Sequence, residues 1–448
     1  MTDDLQAAHS PSSPLGSSRC HSPAHALPVE LTCEIFLHCI SVSLISSDAK
    51  LSRPLDDPPV LLTKICRKWR LIALAMPSLW SDVQLAFGGK RGCRVDTWWI
   101  SFLETWFSRA QEQPLGIDIS SLNPTDSDSA LLELLDNQRH RLRRLAINLP
   151  FMAFRNFSAV DPLPILEQLA IGAHNVPREV ETPITAFRFA PLLNHVSLGG
   201  GLRPGYFVLP WEQLTHLELA AARVEDCLEC LRQAPRITIC VLEIQDTGSP
   251  ASIPPLLRLR SITLSGTDPF IILQFVAMPG LEDLDVVARS LNSEDLTRIS
   301  FFVSRSQCQL RRLRLHYIPN PLTVAALQLL EALPFLETLE LSATEANTIM
   351  ALLRRLDDGE TTFLPQLQNL SIAHHKMRDK DMHAMFNVVA MILLRRGSHT
   401  PEHVQLRSFS LTMQYEQTPP RLWVRQQLRN LAERGMSIEV RNHHERWV

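Results

Sequence analysis

One six-residue pattern, apolar-x-x-apolar-x-apolar, recurs eleven times along this chain, and no other feature restricts its fold as strongly. It reads LRRLAI at 142–147, LEQLAI at 166–171, LNHVSL at 193–198, LTHLEL at 214–219 and ICVLEI at 239–244. It returns as LRSITL at 259–264, LEDLDV at 281–286, LRRLRL at 310–315, LETLEL at 336–341, LQNLSI at 367–372 and LRSFSL at 406–411, with a weaker copy, GMSIEV, at 435–440. The spacing between copies is mostly 20 to 31 residues, with one of 39. The end of each copy alternates apolar and polar residues at the period of a strand with one buried face. Helical patterns lie between copies, as in VEDCLECLRQA, LTVAALQLLEAL and ANTIMALLRRL.

A strand followed by a helix at this period is the signature of a leucine-rich-repeat solenoid, in which each unit buries its apolar face against its neighbours. The array departs from the regular form. The Asn or Cys that follows the last apolar position is generally missing (Ile147 precedes Asn148-Leu149-Pro150), and repeat lengths vary. The expected fold class is therefore α/β: a small helical unit followed by an irregular leucine-rich-repeat solenoid of alternating strands and helices.

Within each hexamer the last two apolar residues point into the core, so the residues flanking them face out on the concave side of the sheet. Early copies place Arg144, Gln168, His195, His216 and Glu218 there. Middle copies place Glu243, Asp283 and Asp285, then Arg312, Arg314 and His316. Late copies place Thr338, Glu340, Asn369, Ser371, Ser408 and Ser410. An acidic patch beside a basic one suits a protein partner of mixed charge, because complementary charge sets specificity and encounter rate. His216, Glu218, Glu243, Asp283, Asp285, Arg312, Arg314 and His316 are accordingly the candidate target-binding residues. The bland alternative, an ordinary solvated sheet face, stands beside this reading.

Upstream of the repeats the texture changes. Residues 1–25 are rich in Ser, Pro, Ala and His and are expected to be a disordered tail. Residues 26–80 hold two apolar helical segments, LPVELTCEIFLHCI and VLLTKICRKWRLIALAMPSLW, separated by a polar loop. In the first, Pro28 suits a helix's first turn and Leu31, Ile35 and Cys39 are spaced four apart, with Phe36 and Ile40 alongside. In the second, Leu62, Ile65, Cys66, Trp69, Ile72 and Ala73 keep helical spacing until Pro77 stops it. Residues 81–120 read as a strand-helix-strand junction. Its helix has Asp96 as candidate cap and Trp99, Phe102, Leu103, Trp106 and Ala110 as the buried stripe, and five of the eight tryptophans fall within 69–106. Residues 121–448 carry the array.

Residues 27–80 resemble an F-box. The resemblance rests on Leu27-Pro28, Glu30-Leu31, Ile35-Phe36, Cys66-Arg67-x-Trp69-Arg70 and MPSLW at 76–80. With the Trp-rich helix and the repeats behind it, the chain looks most like F-box proteins of mushroom-forming fungi, although Lys64-Ile65 before Cys66 and a long inter-helix loop depart from that pattern. The resemblance implies a three-helix unit that docks on the Skp-family adaptor of a cullin–RING ubiquitin ligase. Leu27, Pro28, Glu30, Leu31, Ile35, Cys66 and Trp69 would be the adaptor-binding residues, and the repeats would hold an unknown target protein. A scaffold acting outside any ligase is the alternative. A unit of about fifty residues buries little surface alone, and leftover apolar side chains on it would mark a partner surface. Whether Leu31, Ile35, Cys66 and Trp69 face that partner or the unit's own core is left open by the sequence.

Composition narrows the remaining classes. A net charge of −3 gives no long-range attraction to nucleic acid or anionic membrane, so neither is expected as a partner. The longest apolar runs are far short of a membrane span, the N-terminus has no secretory pattern, and nine cysteines without a regular framework fit a reducing compartment, the cytoplasm or nucleus. Cys227-x-x-Cys230 sits in a helical segment without a second pair and reads as core rather than metal site. Gly199-Gly200-Gly201 lacks a phosphate-loop context and reads as a repeat turn. His374-His375 and His443-His444 poorly suit one metal, since neighbouring strand side chains diverge. RRLRLH at 311–316 has no interleaved aromatics and reads as a local protein-binding patch. No catalytic constellation, metal site or cofactor is expected.

Overall fold

Fourteen strands hydrogen-bond side by side, all parallel, in the order in which they occur along the chain. The computed structural model describes residues 27–40, 58–87, 97–121, 127–157, 161–246, 248, 251–288, 291–316, 323–344, 346–357, 363–374, 379–396, 405–413, 420–442 and 444–448. The strands are β1 (Asp82–Phe87), β2 (Leu115–Ser121), β3 (Leu142–Pro150), β4 (Gln168–His174), β5 (His195–Leu198), β6 (His216–Arg223) and β7 (Ile239–Asp246). They continue as β8 (Ser261–Gly266), β9 (Asp283–Ala288), β10 (Arg312–His316), β11 (Thr338–Thr344), β12 (Asn369–His374), β13 (Ser408–Met413) and β14 (Ser437–Arg441). The sheet has two ends and does not close on itself. The fold is α/β, with eleven α-helices among the described residues.

Every hexamer copy maps onto one strand. The last two apolar positions are buried, as in Leu169 and Ile171 or Leu339 and Leu341, and the residues between and before them are half-exposed on the other face. From the entry of β4 to that of β12, a backbone carbonyl accepts two amides at the entry of the next strand. Glu167 O takes Asn194 N and His195 N at 3.0 and 3.1 Å, and Asn194 O takes Thr215 N and His216 N at 2.9 and 3.0 Å. The relay runs on through Thr215, Thr238, Arg260, Glu282, Arg311, Glu337 and Gln368. This main-chain relay satisfies groups that would otherwise be orphaned at the strand entrances.

The relay also corrects one register. Thr238, not a residue two positions later, is the relay residue of β7, so the true copy is Ile237-Thr-Ile-Cys-Val-Leu242 rather than ICVLEI. Ile239 and Val241 therefore occupy the first two outward positions. Glu243 keeps its face but sits one rung further along, paired in register with Ser265. The segment RITICVLEI satisfies the apolar pattern in either frame, so the pattern alone did not discriminate.

A second correction concerns the connectors. The helices are α1 (Val29–His38), α2 (Val60–Ile65), α3 (Arg67–Leu74), α4 (Thr97–Ala110), α5 (Ser127–Asp136), α6 (Val224–Gln233), α7 (Ser293–Ser306), α8 (Thr323–Glu331), α9 (Ala346–Asp357), α10 (Asp379–Arg396) and α11 (Leu422–Glu433). The links β3–β4, β4–β5, β5–β6, β7–β8 and β8–β9 contain no α-helix among their described residues. Each carries two or three prolines, which break a helix interior, whereas none of the eleven helices contains one. Aromatic rings replace the missing helices. Phe207 lies edge-on to Phe151 and Phe154 at 6.2 and 5.9 Å, and Phe151 meets Tyr206 at 5.5 Å.

Near the N-terminus, α4 buries Leu103, Trp106 and Ala110 as expected, and also Phe107, while Trp99 and Phe102 are only partly buried. The 3-10 turn Pro77–Trp80 docks there, with Trp80 edge-on to Trp106 at 4.9 Å and the Arg109 guanidinium 4.5 Å from the Trp80 ring. At the other end the chain doubles back beyond β14. Trp447 N donates to Val440 O at 2.8 Å, Val440 N donates to Val448 O at 3.2 Å, and the Trp447 ring is 3% exposed. The expected tail at 1–25, most of the inter-helix loop, the candidate cap Asp96, and His375 and His443 lie outside the described residues.

The β7 register makes a direct prediction. Ile237, 2% exposed, should cost about 2–5 kcal/mol on replacement by alanine, whereas Ile239→Ala, at a position 40% exposed, should cost well under ~1.5 kcal/mol. Urea denaturation of the two variants measures the difference, and the frame used in the sequence reading would reverse it.

Candidate functional site

Two surfaces carry the residues singled out from the sequence. The first is built by α1, α2 and α3. Proline 28 precedes α1, and its carbonyl accepts both the Thr32 amide at 3.1 Å and the Thr32 hydroxyl at 2.9 Å. The buried face of α1 is Thr32 and Phe36, at 1% and 0% exposure, not the Leu31–Ile35–Cys39 row that the spacing suggested. That row lies outside: Leu31 is 54% exposed, Ile35 45%, and Cys39 is exposed. Two apolar rows run side by side on this helix, and tertiary packing chose the one carrying the phenylalanine. Phe36 meets Trp69 edge-on at 5.1 Å, a favourable ring geometry.

The second helical segment is two helices, not one. Cys66 is extended and caps α3, its Sγ accepting the Trp69 amide at 3.4 Å, while Arg70 Nε donates to Thr63 O at 2.7 Å and covers the end of α2. Cys66 and Trp69 are thus half-buried and hold the unit together. Leu27 is half-buried, its carbonyl accepting from Lys68 Nζ at 3.0 Å, while Pro28 and Glu30 are exposed. Beyond the candidates, Leu61, Ile65, Leu71 and Leu74 also project outward at 40–63% exposure. Of these only Ile65 belonged to the apolar spacing read from the sequence, and the packing of neighbouring helices turns it outward.

The second surface is the open face of the sheet. The first outward rung runs Arg144, Gln168, His195, His216, Ile239, Ser261, Asp283, Arg312, Thr338, Asn369 and Ser408 from β3 to β13. The next includes Glu218, Val241, Thr263, Asp285, Arg314, Glu340, Ser371 and Ser410. Adjacent strands stand about 4.8 Å apart, so neighbouring rungs are in reach of one another.

That reach decides the charge pattern. Arg312 pairs with Asp283 at 3.0 Å, and Arg314 with Asp285 and Glu340 at 3.2 Å each. His316 lies 3.5 Å from Asp285, and Arg311 pairs with Glu337 at 2.6 Å. The acidic and basic patches of the sequence are therefore one ladder of lateral ion pairs, and RRLRLH has no unopposed guanidinium. Burial pushes the Asp285 carboxyl up, but His316 and Arg314 outweigh it and hold it below the usual carboxylate range. At β1–β3, Arg144 reaches Asp82 across Gly116 at 2.5 Å, and a β-carbon at Gly116 would lie 2.1 Å from the Asp82 oxygen.

At β5–β6 the His195 and His216 rings stack with centroids 5.4 Å apart, and His195 Nε2 lies 3.6 Å from Glu218 Oε1. The contact with His195 holds Glu218 below the usual carboxylate range, while burial, reinforced by His195, lowers His216. Behind this face Cys227, Cys230 and Cys240 are fully buried and unpaired. Burial pushes the Cys227 thiol up to about 12 and raises Cys230 and Cys240 as well, so none is a poised thiolate. Gly200, at φ +73°, passes so close to the Ala173 carbonyl that a β-carbon would lie 2.2 Å from it, which is the demand of a repeat turn. Among the described residues no helix is long and apolar enough to cross a membrane, and no group of three or more His, Cys, Asp or Glu could hold a metal ion. No family model matches the chain, and no curated protein matches it.

The histidine pair generates a pH prediction. His216 takes up a proton less readily in the folded chain than in the unfolded one, so its contribution is complete above the unfolded value near ~6.5 and is lost as pH falls through the folded value. Glu218 adds to the same slope further down, because its lowered value means its contribution disappears as pH falls through that value. Thermal melts from pH ~7 to ~5 should show a falling Tm, and His216→Asn should flatten the upper part of that slope.

Proposed function

We propose that the chain is the target-recruiting subunit of a Skp/cullin/F-box type ubiquitin ligase, with residues 26–80 as the F-box and the strands from β3 onward as an irregular leucine-rich-repeat solenoid that holds a target. The observation that carries this reading is the set of exposed aliphatic side chains on three short helices. Leu31 and Ile35, at the F-box-like positions, are exposed together with Leu61, Ile65 and Leu71, while Thr32, Phe36, Leu62 and Ile72 close the interior. Aliphatic side chains gathered in this way on one small unit suit a partner that removes them from water, at about 1.5–3 kcal/mol for each one fully buried. Leu27, Pro28, Glu30, Leu31 and Ile35 would then touch the adaptor directly. Cys66 and Trp69 would act from within, by setting the angle between α2 and α3.

The mechanism is proximity. The adaptor and cullin hold the ubiquitin-charged enzyme, the sheet holds the target, and the Trp80–Trp106 contact fixes one relative to the other. The chain supplies effective concentration and no bond chemistry. A ligase of this kind would work in the cytoplasm or nucleus, in keeping with the free thiols of the seven described cysteines.

Affinity purification tests it. The full chain should capture a Skp-family adaptor and, through it, a cullin. Leu31→Asp with Ile35→Asp should abolish that capture while leaving the thermal melt within a few degrees, because both side chains are exposed. Adaptor without cullin would favour a scaffold outside the ligase; capture unaffected by the double variant would overturn the docking surface.

A further inference from the structure

The open sheet face is not uniform. Across the first two outward rungs of all fourteen strands, β7 alone places large aliphatic side chains, Ile239 and Val241. Ile239 is 40% exposed, and two strands away, on the third rung of β9, Val287 is 42% exposed. Glu218 pairs in register with Val241, and Glu243 follows it on β7. From β4 to β9 none of the three outward rungs carries a lysine or arginine. Arg223, at the far end of β6, is engaged by Glu225 and Asp226, and the guanidiniums on β10 by Asp283 and Asp285. Asp283 uses only one carboxylate oxygen in that pair, and its Oδ1 is buried without a hydrogen bond among the described residues.

We propose that this strip, from β6 to β8, is the receptor for an extended peptide segment of a partner protein in which an aliphatic side chain has lysine or arginine two positions away, on the same face of the segment. The inference rests on the reading of the sheet as the target-holding part and names the chemistry of what it holds. Ile239 and Val241 give the aliphatic side chain a hydrocarbon floor, bordered by the serines and threonine of β8. Glu218 and Glu243 stand beside that floor, about 4.8 Å from Val241 across to β6 and about 6.6 Å from it along β7. Side chains two residues apart on an extended chain share a face at the same spacing of about 6.6 Å, so basic residues two positions from the aliphatic one fall over the carboxylates. Acidic peptides and nucleic acids would meet the same carboxylates as repulsion, which is where the selectivity arises.

Fluorescein-labelled peptides of about twelve residues in a Gly-Ser background, with Lys-Gly-Leu-Gly-Lys, Lys-Gly-Ser-Gly-Lys or Asp-Gly-Leu-Gly-Asp at the centre, are titrated against the full chain by anisotropy. Lys-Gly-Leu-Gly-Lys should bind at least about tenfold more tightly than Asp-Gly-Leu-Gly-Asp and several-fold more tightly than Lys-Gly-Ser-Gly-Lys, a tenfold ratio being about 1.4 kcal/mol. Glu218→Lys with Glu243→Lys should erase the cationic preference, and Ile239→Ser the preference for leucine. Thermal melts of each variant confirm that the fold is kept. Equal binding of the three peptides, or preferences that survive both variants, would overturn the proposal. Adaptor capture, read on the same preparations, separates the two readings. Peptide selectivity without capture defeats the ligase assignment alone, and capture without selectivity defeats this one.

Discussion

The main-chain relay at the strand entrances is the constraint on which the rest of the molecule depends. Each relay carbonyl binds two amides of the following strand, from Glu167 through Gln368, at 2.7–3.1 Å. Because the donors are backbone groups, the relay does not care which side chain sits at that position, and Glu, Asn, Thr, Arg and Gln all serve. A parallel sheet built this way tolerates connectors of very different length and content, since the relay and the two buried residues of each strand set the spacing. The irregular array is thus one rule applied to variable links.

Side chains then decide which neighbours fit. Arg143–Glu167, Arg260–Glu282 and Arg311–Glu337 pair along the entry edge, and Asp283–Arg312 and Asp285–Arg314–Glu340 pair across the open face. Exposed pairs of this kind add little stability individually, but a slipped or exchanged strand would set like charges against each other. Charge therefore selects the order of strands more than it holds them. The stretch from β6 to β8 has no such ladder on its open face. There the face is free to present hydrocarbon and carboxylate to something else.

The strands were legible because burial of one face forces a two-residue alternation that few other structures imitate. The failure at β7 has the same origin: Ile237, Ile239, Val241, Leu242 and Ile244 satisfy two frames, and only the hydrogen bonds of Thr238 choose. The connectors were less legible. An apolar stretch beside prolines can pack as aromatic filler, as Phe151, Phe187 and Phe207 do, without forming a helix. On the N-terminal unit the motif residues were easy to find and their orientation was not. Leu31 and Thr32 are neighbours on one helix, and which of them faces inward depends on where Trp69 comes from, information held thirty-odd positions away.

The fold-back beyond β14 bears on how the molecule behaves in a crowded solution. A sheet this wide ends in an edge whose free backbone groups invite another sheet to add on, the usual beginning of fibrous stacking. Here Trp447 and Val448 already occupy part of that edge in the antiparallel sense, with the indole ring sunk into the interior. An intruding strand would first have to pull that ring out, at a cost on the order of 3–5 kcal/mol. The seal makes end-to-end polymerisation through β14 unfavourable without requiring the last strand to be short, charged or bent.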